Sequence, residues 1–96
     1  MAKRVVHKYP LKVVTTQTIV IPQDAKPVHI GLQNGEIMAW VDHPADGDRF
    51  TEWKLACFGT GEEYDPSNYG RHRGTVQIDP FVWHFFDDHT GEVSHG

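Results

Sequence analysis

Three short stretches carry side chains suited to holding a ligand. The first is Phe58-Gly59-Thr60-Gly61, where a hydroxyl stands between two glycines at the end of an apolar run. Glycine lets successive backbone N–H groups converge on an anion, so this block is a candidate nest with Thr60 adding its hydroxyl. An ordinary turn uses the same residues. The second is Arg71-His72-Arg73, which in an extended chain sends both guanidinia to one side and His72 to the other. The planar fork of arginine matches phosphate or carboxylate oxygens in pairs. A solvated edge strand whose arginines pair with the acids between 62 and 65 also accounts for it, and Arg49 is one more possible anion partner. The third is Phe81-Val82-Trp83-His84-Phe85-Phe86, apolar or aromatic on both faces. A strand with one wet face should alternate with polar residues, so this one is covered on both sides, or lines a pocket or a subunit contact. His84 is then either a buried imidazole satisfied by one backbone group or a hydrogen-bond donor or general acid within a ligand pocket.

Trp40 joins these candidates by phase. It alternates against Ile37, Ala39 and Val41, whose face should be core, and it shares its own face with Asp42. A tryptophan left outside can stack on a purine ring, worth roughly 1–3 kcal/mol per base; Trp83 is the second candidate for that role, while the remaining aromatics read as core. The expected ligand-binding set is therefore Trp40, Thr60, Arg71, Arg73, Trp83 and His84. Other chemistries fit less well. Cys57 alternates with Trp53 and Leu55, the setting of a buried inert thiol, and Ser67 and Ser94 lack a glycine-flanked elbow. His84, Asp87, Asp88, His89 and His95 match no structural zinc spacing. Neither a catalytic residue nor a metal or other cofactor is expected.

Strands must position these groups. Period-2 patterning recurs throughout, without a sustained helical stripe, and predicts strands over 3–9, 13–21, 27–33, 36–42, 50–58, 70–78 and 81–86. Val13 to Ile21 is the most β-branched segment, suited to a pleated surface because its χ1 angles are stiff. Asn34-Gly35 is the strongest hairpin signal, since both central positions of a type I′ turn need φ > 0. Asp79-Pro80 reads as a second turn. Residues 59–69 form a long loop with a helical turn expected near Asp65 to Asn68. The expectation is one all-β domain over 1–86, a twisted antiparallel sheet of six to seven strands curling into a barrel or sandwich, with 87–96 as a frayed tail.

At 96 residues the chain is too short for two cores. Its aromatic fraction of 11% is high enough that a homo-oligomer is expected to bury the surplus. A net charge of −4 argues against binding of a nucleic-acid polymer over the whole surface, although Lys3, Arg4, Lys8, Lys12 and Lys26 leave a basic edge in the first third. One cysteine cannot form an intramolecular disulfide. Neither a secretory h-region nor a membrane-length apolar run is present, so no membrane association and a cytoplasmic location are expected.

His7-Lys8-Tyr9-Pro10-Leu11, Gln17-Thr18-Ile19 with Ile21-Pro22, Ala39-Trp40-Val41-Asp42, Phe58-Gly59-Thr60-Gly61 and Gly74-Thr75-Val76-Gln77, followed by Phe81-Val82-Trp83-His84-Phe85, occur in this order. As a set they resemble a family of short β-rich proteins encoded mainly by bacteriophages and by bacterial genomes carrying phage DNA. In that family a histidine often follows the Gly-Thr-Gly block, where this chain has Glu62. The resemblance implies a phage or prophage origin and brings no activity with it. By analogy with unrelated small phage proteins, it suggests an oligomer that sequesters a phosphorylated signalling nucleotide of host immunity, such as a cyclic ADP-ribose isomer or cyclic dinucleotide. An inhibitor or adaptor of a host protein and a small phosphodiesterase using His84 or His72 are the alternatives.

Overall fold

The computed structural model describes residues 3–91. Seven strands run in chain order: β1 (Arg4–Pro10), β2 (Thr16–Pro22), β3 (Lys26–Gln33), β4 (Glu36–Pro44), β5 (Phe50–Gly59), β6 (Tyr69–Ile78) and β7 (Phe81–Asp88). They form two antiparallel sheets, one in the order β1-β4-β3 and the other in the order β2-β5-β7-β6. The sheets stack as an open sandwich 16 Å thick rather than closing into a barrel, and all seven expected strands are present.

Local chemistry sets the strand ends. Asn34 and Gly35 take φ of 51° and 80°, the left-handed pair that the β3–β4 hairpin needs. Asp65 caps a 3₁₀ turn over Pro66–Asn68, accepting from both the Ser67 N–H and its hydroxyl. β2 starts at Thr16 rather than at 13 because Gln17 folds back on Lys12. Its amide donates to the Lys12 carbonyl and accepts from the Lys12 N–H, so the connection from β1 is bent. β7 runs on to Asp88, two residues past the expected end. Both carboxylates have partners, Asp87 on Arg73 and Trp53, and Asp88 on the Thr90 N–H and hydroxyl. The proposed tail residues Ser94 and His95 lie outside the described residues.

Residues paired directly across an antiparallel ladder share a face, so the register sorts inside from outside. In the larger sheet Trp53, Leu55 and Cys57 of β5, Val76 of β6 and Phe85 of β7 face inward. They meet Ile37, Ala39 and Val41 of β4 and Ile30 of β3. Leu55, Val41 and Phe85 are completely buried, each worth about 1.5–3 kcal/mol relative to exposure. The sheets come closest where Gly74 lies against Ile30: a Cβ on Gly74 would sit 2.7 Å from the Ile30 Cβ. At one end of the core, Asp87 accepts from Arg73 Nε and Nη2 at 2.8 and 2.9 Å and from Trp53 Nε1 at 2.9 Å.

Candidate functional site

The outer face of the β2-β5-β7-β6 sheet carries the most developed constellation. On β5 and β7 the ladder pairs Phe58 with His84 and Ala56 with Phe86; on β6 it sets Thr75 beside His84 and His72 beside Phe86. All six side chains therefore point away from the core. The loop after β5 then folds back over this face and lays Tyr64 flat on Phe58, with centroids 4.9 Å apart and planes 12° from parallel. Tyr69 meets the same pair edge-on, Phe86 tilts against both, and His72 abuts Phe86 at 5.2 Å. Phe58 is buried beneath Tyr64, which is itself 43% exposed.

Between this ring cluster and the loop lies an open bay of about 250 Å³, lined by Phe58, Thr60, Glu62, Tyr64, His84 and Phe86 together with Gly59 and Gly61. One wall is a continuous polar chain. His84 Nε2 lies 2.8 Å from Thr60 Oγ1, His84 Nδ1 lies 3.0 Å from Thr75 Oγ1, and Thr75 Oγ1 lies 2.9 Å from His72 Nε2. A neutral imidazole has one donor and one acceptor nitrogen, so the chain must be polarised in one sense or the other. If Thr60 donates to His84, then His84 donates to Thr75 and Thr75 to His72. In the opposite sense the Thr60 hydroxyl is left free to donate into the bay. The wall can therefore offer a ligand either a donor or an acceptor at small cost. Glu62 adds a carboxylate acceptor, and no Lys or Arg lines the bay.

Of the two readings of Phe58-Gly59-Thr60-Gly61, the structure has the ordinary turn. The Thr60 N–H donates to the Val82 carbonyl and the Glu62 N–H to the Gly59 carbonyl, so these amides are committed within the fold. Thr60 contributes through its hydroxyl instead.

The six expected residues are dispersed, and only Thr60 and His84 come together. Trp83, adjacent to His84 in sequence, points to the other face. There it pairs with Gly59, packs 5.7 Å from Phe81 and lines a separate groove with Val13, Val14, Thr15, Cys57 and Glu62. Trp40 is on the outer face of the three-stranded sheet, as its phase required, half-buried and tilted against His29 at 5.8 Å. Arg73 is bound bidentately to Asp87 and lies 5.9 Å over the Trp53 ring, a structural engagement with Asp87 rather than with the acids of 62–65. Arg71 borders a small cleft between β3 and β6. Arg49 sits with Asp24 and Asp46 at a loop groove elsewhere.

Tyr64 and Thr75 enter the site without having been singled out; Phe58 and Phe86 join it from the stretches that carry Thr60 and His84, and His72, the other candidate acid–base residue, ends the polar chain. Cys57 is buried, and burial followed by the nearby Glu62 charge pushes its thiol up to about 11. Among the described residues no three His, Cys, Asp or Glu side chains gather as a metal centre, and no helix is long and apolar enough to cross a membrane.

No curated protein and no solved structure matches this chain. A family model does: the chain matches a domain of unknown function, DUF7352, over residues 2–95 and belongs to that family.

Proposed function

We propose that the protein is a non-catalytic binding module that captures a small nucleotide-class ligand through its heterocycle, in the bay between Tyr64, Phe86 and the Thr60–His84 pair. The observation that carries this is the placement of a ring cluster and a switchable hydrogen-bond wall on a sheet face that patterning would otherwise leave polar. A planar ring gains stacking from the aromatics, and its edge finds Thr60, His84 and Glu62. A carboxylate and no cation line the bay, which favours the amino-bearing edge of a base there over a phosphate. The analogy with unrelated small phage proteins suggests sequestration as the use of such binding. Ligand would be withdrawn from a host receptor by mass action, which requires affinity and abundance rather than turnover.

Thermal melting against adenosine, guanosine, NAD, cyclic ADP-ribose isomers and cyclic dinucleotides tests this. A ligand present at 100 times its Kd should stabilise the fold by about 2.7 kcal/mol. His84→Ala and Phe86→Ala should each remove the shift, and the ligand should be recovered intact. Cleaved ligand whose production His84→Ala abolishes would establish a hydrolase instead, with Thr60 and His84 at 2.8 Å as the reacting pair. The host-protein adaptor has its own support in the exposed apolar pair Ile78 and Phe81 at the β6–β7 turn, exposed by 36 and 57%. A well-folded protein that melts identically with every ligand would promote that alternative.

A further inference from the structure

β3 and β6 are edge strands of different sheets and cross where Gly74 meets Ile30. Away from that crossing both are irregular. β3 bulges between Pro27 and His29, so that Val28 has no partner on β4, and β6 shifts register twice between Tyr69 and Gly74. Bulges bend a strand and sharpen its twist, and here the two edges part to leave a cleft of about 90 Å³. Pro27, Val28 and His29 line one side, and Arg71, His72 and Arg73 the other, with Ile30 beneath.

The cleft collects basic side chains in an acidic protein, and Arg71 is its one charge without a counter-ion among the described residues. It is lined by two guanidinia and two imidazoles with no carboxylate, on a chain whose net charge is −4. Three of these four groups are held in place. Arg73 is bound to Asp87, His72 Nε2 is engaged by Thr75, and the His29 ring is packed against Trp40 and over Gly31. Arg71 is the exception: it is exposed, and its side chain has neither an ion pair nor a hydrogen bond among the described residues. With Asp87 taken up by Arg73 and no acid among the lining residues, the free arginine fork beside His29 and His72 matches the oxygens of a tetrahedral anion.

We infer that this cleft is an oxyanion site of the phosphate class, with Arg71 as the charged ligand and His29 and His72 flanking it. It is a different opening from the aromatic bay, whose polar chain ends at the shared His72, and its charged ligand Arg71 takes no part in the bay. The phosphate could be free or carried on a larger molecule; both sources share the same chemistry at Arg71.

Inorganic phosphate titrated against the full chain by calorimetry and by amide NMR, with chloride at matched ionic strength as control, tests the assignment. Phosphate should bind, and move amide resonances in 27–30 and 71–73 rather than in 58–64. Arg71→Gln should weaken it at least about tenfold while leaving the melting temperature in chloride unchanged. Adenosine and adenosine monophosphate form the second arm. Arg71→Gln should leave adenosine binding untouched, and should weaken the monophosphate if nucleotide-borne phosphate reaches the cleft. Loss of adenosine binding with phosphate retained would remove the bay and keep the cleft. Phosphate behaving as chloride does, spreading its shifts over the N-terminal lysines, or binding equally to Arg71→Gln would overturn the cleft as a site.

Discussion

Replacing Asp87 by Asn tests whether Arg73 is a structural cation, as its contacts require, or a ligand-binding one. Asp87 accepts three hydrogen bonds, two from Arg73 and one from Trp53, and the ion-paired side chains are only 17% and 19% exposed. Hydrogen bonds to charged groups are worth about 1.5–3 kcal/mol each, and breaking a buried pair costs about 3–5. Asparagine keeps one oxygen acceptor but turns an N–H donor toward Arg73. We therefore expect a loss of about 2–3 kcal/mol at pH 7, or roughly 8–24 °C in Tm at this chain length. The pH dependence is the sharper measurement. Burial alone would raise the Asp87 carboxyl. The hydrogen bonds from Arg73 and Trp53, with the charges of Arg73 and His89, outweigh it and hold the group below the ordinary value of 3.8. A carboxyl depressed in the folded state contributes stability that is complete above its unfolded value and is lost as pH falls through the folded one. Urea denaturation at pH 7, 5, 4 and 3 should show a constant gap between wild type and Asp87→Asn down to about pH 4, then a narrowing one. Arg73→Met should cost a similar amount, and the double variant little more than either alone. A gap that stays the same at pH 3, or fully additive variants, would refute the claim that the pair acts as a unit.

Two glycine substitutions separate steric from conformational cost. Gly74→Ala places a Cβ 2.7 Å from the Ile30 Cβ and 3.2 Å from its carbonyl oxygen, neither on a flexible side-chain end. It should cost about 1–3 kcal/mol by chemical denaturation. Gly35→Ala meets nothing within 4 Å but sits at φ +80°; its cost of about 1–2 kcal/mol is that of the left-handed conformation alone. Cys57 should resist iodoacetamide at pH 7.5 in the native state and react on addition of denaturant. With its thiol at about 11, roughly one molecule in three thousand is thiolate; rapid native labelling would contradict its burial.

Strands were legible because their causes are local. Alternation located them, and the Asn34-Gly35 pair fixed one hairpin outright, since only such residues accept both positive φ angles. Cys57 was legible as inert for the same reason, being in phase with Trp53 and Leu55. The beginning of β2 and the end of β7 were not local properties. They depend on the Gln17 side chain reaching Lys12 and on Arg73 reaching Asp87, contacts that alternation does not encode. The division into two sheets likewise depends on which edges pair, and β2 lies beside β5 rather than beside either of its neighbours in sequence.

The site shows how far parity can be carried. Trp83 and His84 are consecutive on one strand, so they point to opposite faces. A single subunit could not have used both against one ligand from the same side, and the expected set contained that conflict from the start. Parity and the turn together contain a further deduction. With Asp79-Pro80 as a two-residue turn, Ile78 must face Phe81, and counting outward places Val76 against Trp83 and Thr75 against His84, as the ladder has it. Thr75 was thus available as the partner of His84 from the turn alone. Counting further fails. Strict register holds as far as Gly74 against Phe85 and would next set Phe86 against Arg73, but the bulges of β6 bring His72 beside Phe86 instead and leave Arg73 facing inward to Asp87. One shift of register moves an arginine from the ligand face to the core and an imidazole in the other direction. The same irregular stretch of β6 thereby ends the polar chain of the bay at His72 and leaves Arg71 unpaired in the cleft, so the two proposed sites are products of one local departure from regular pairing.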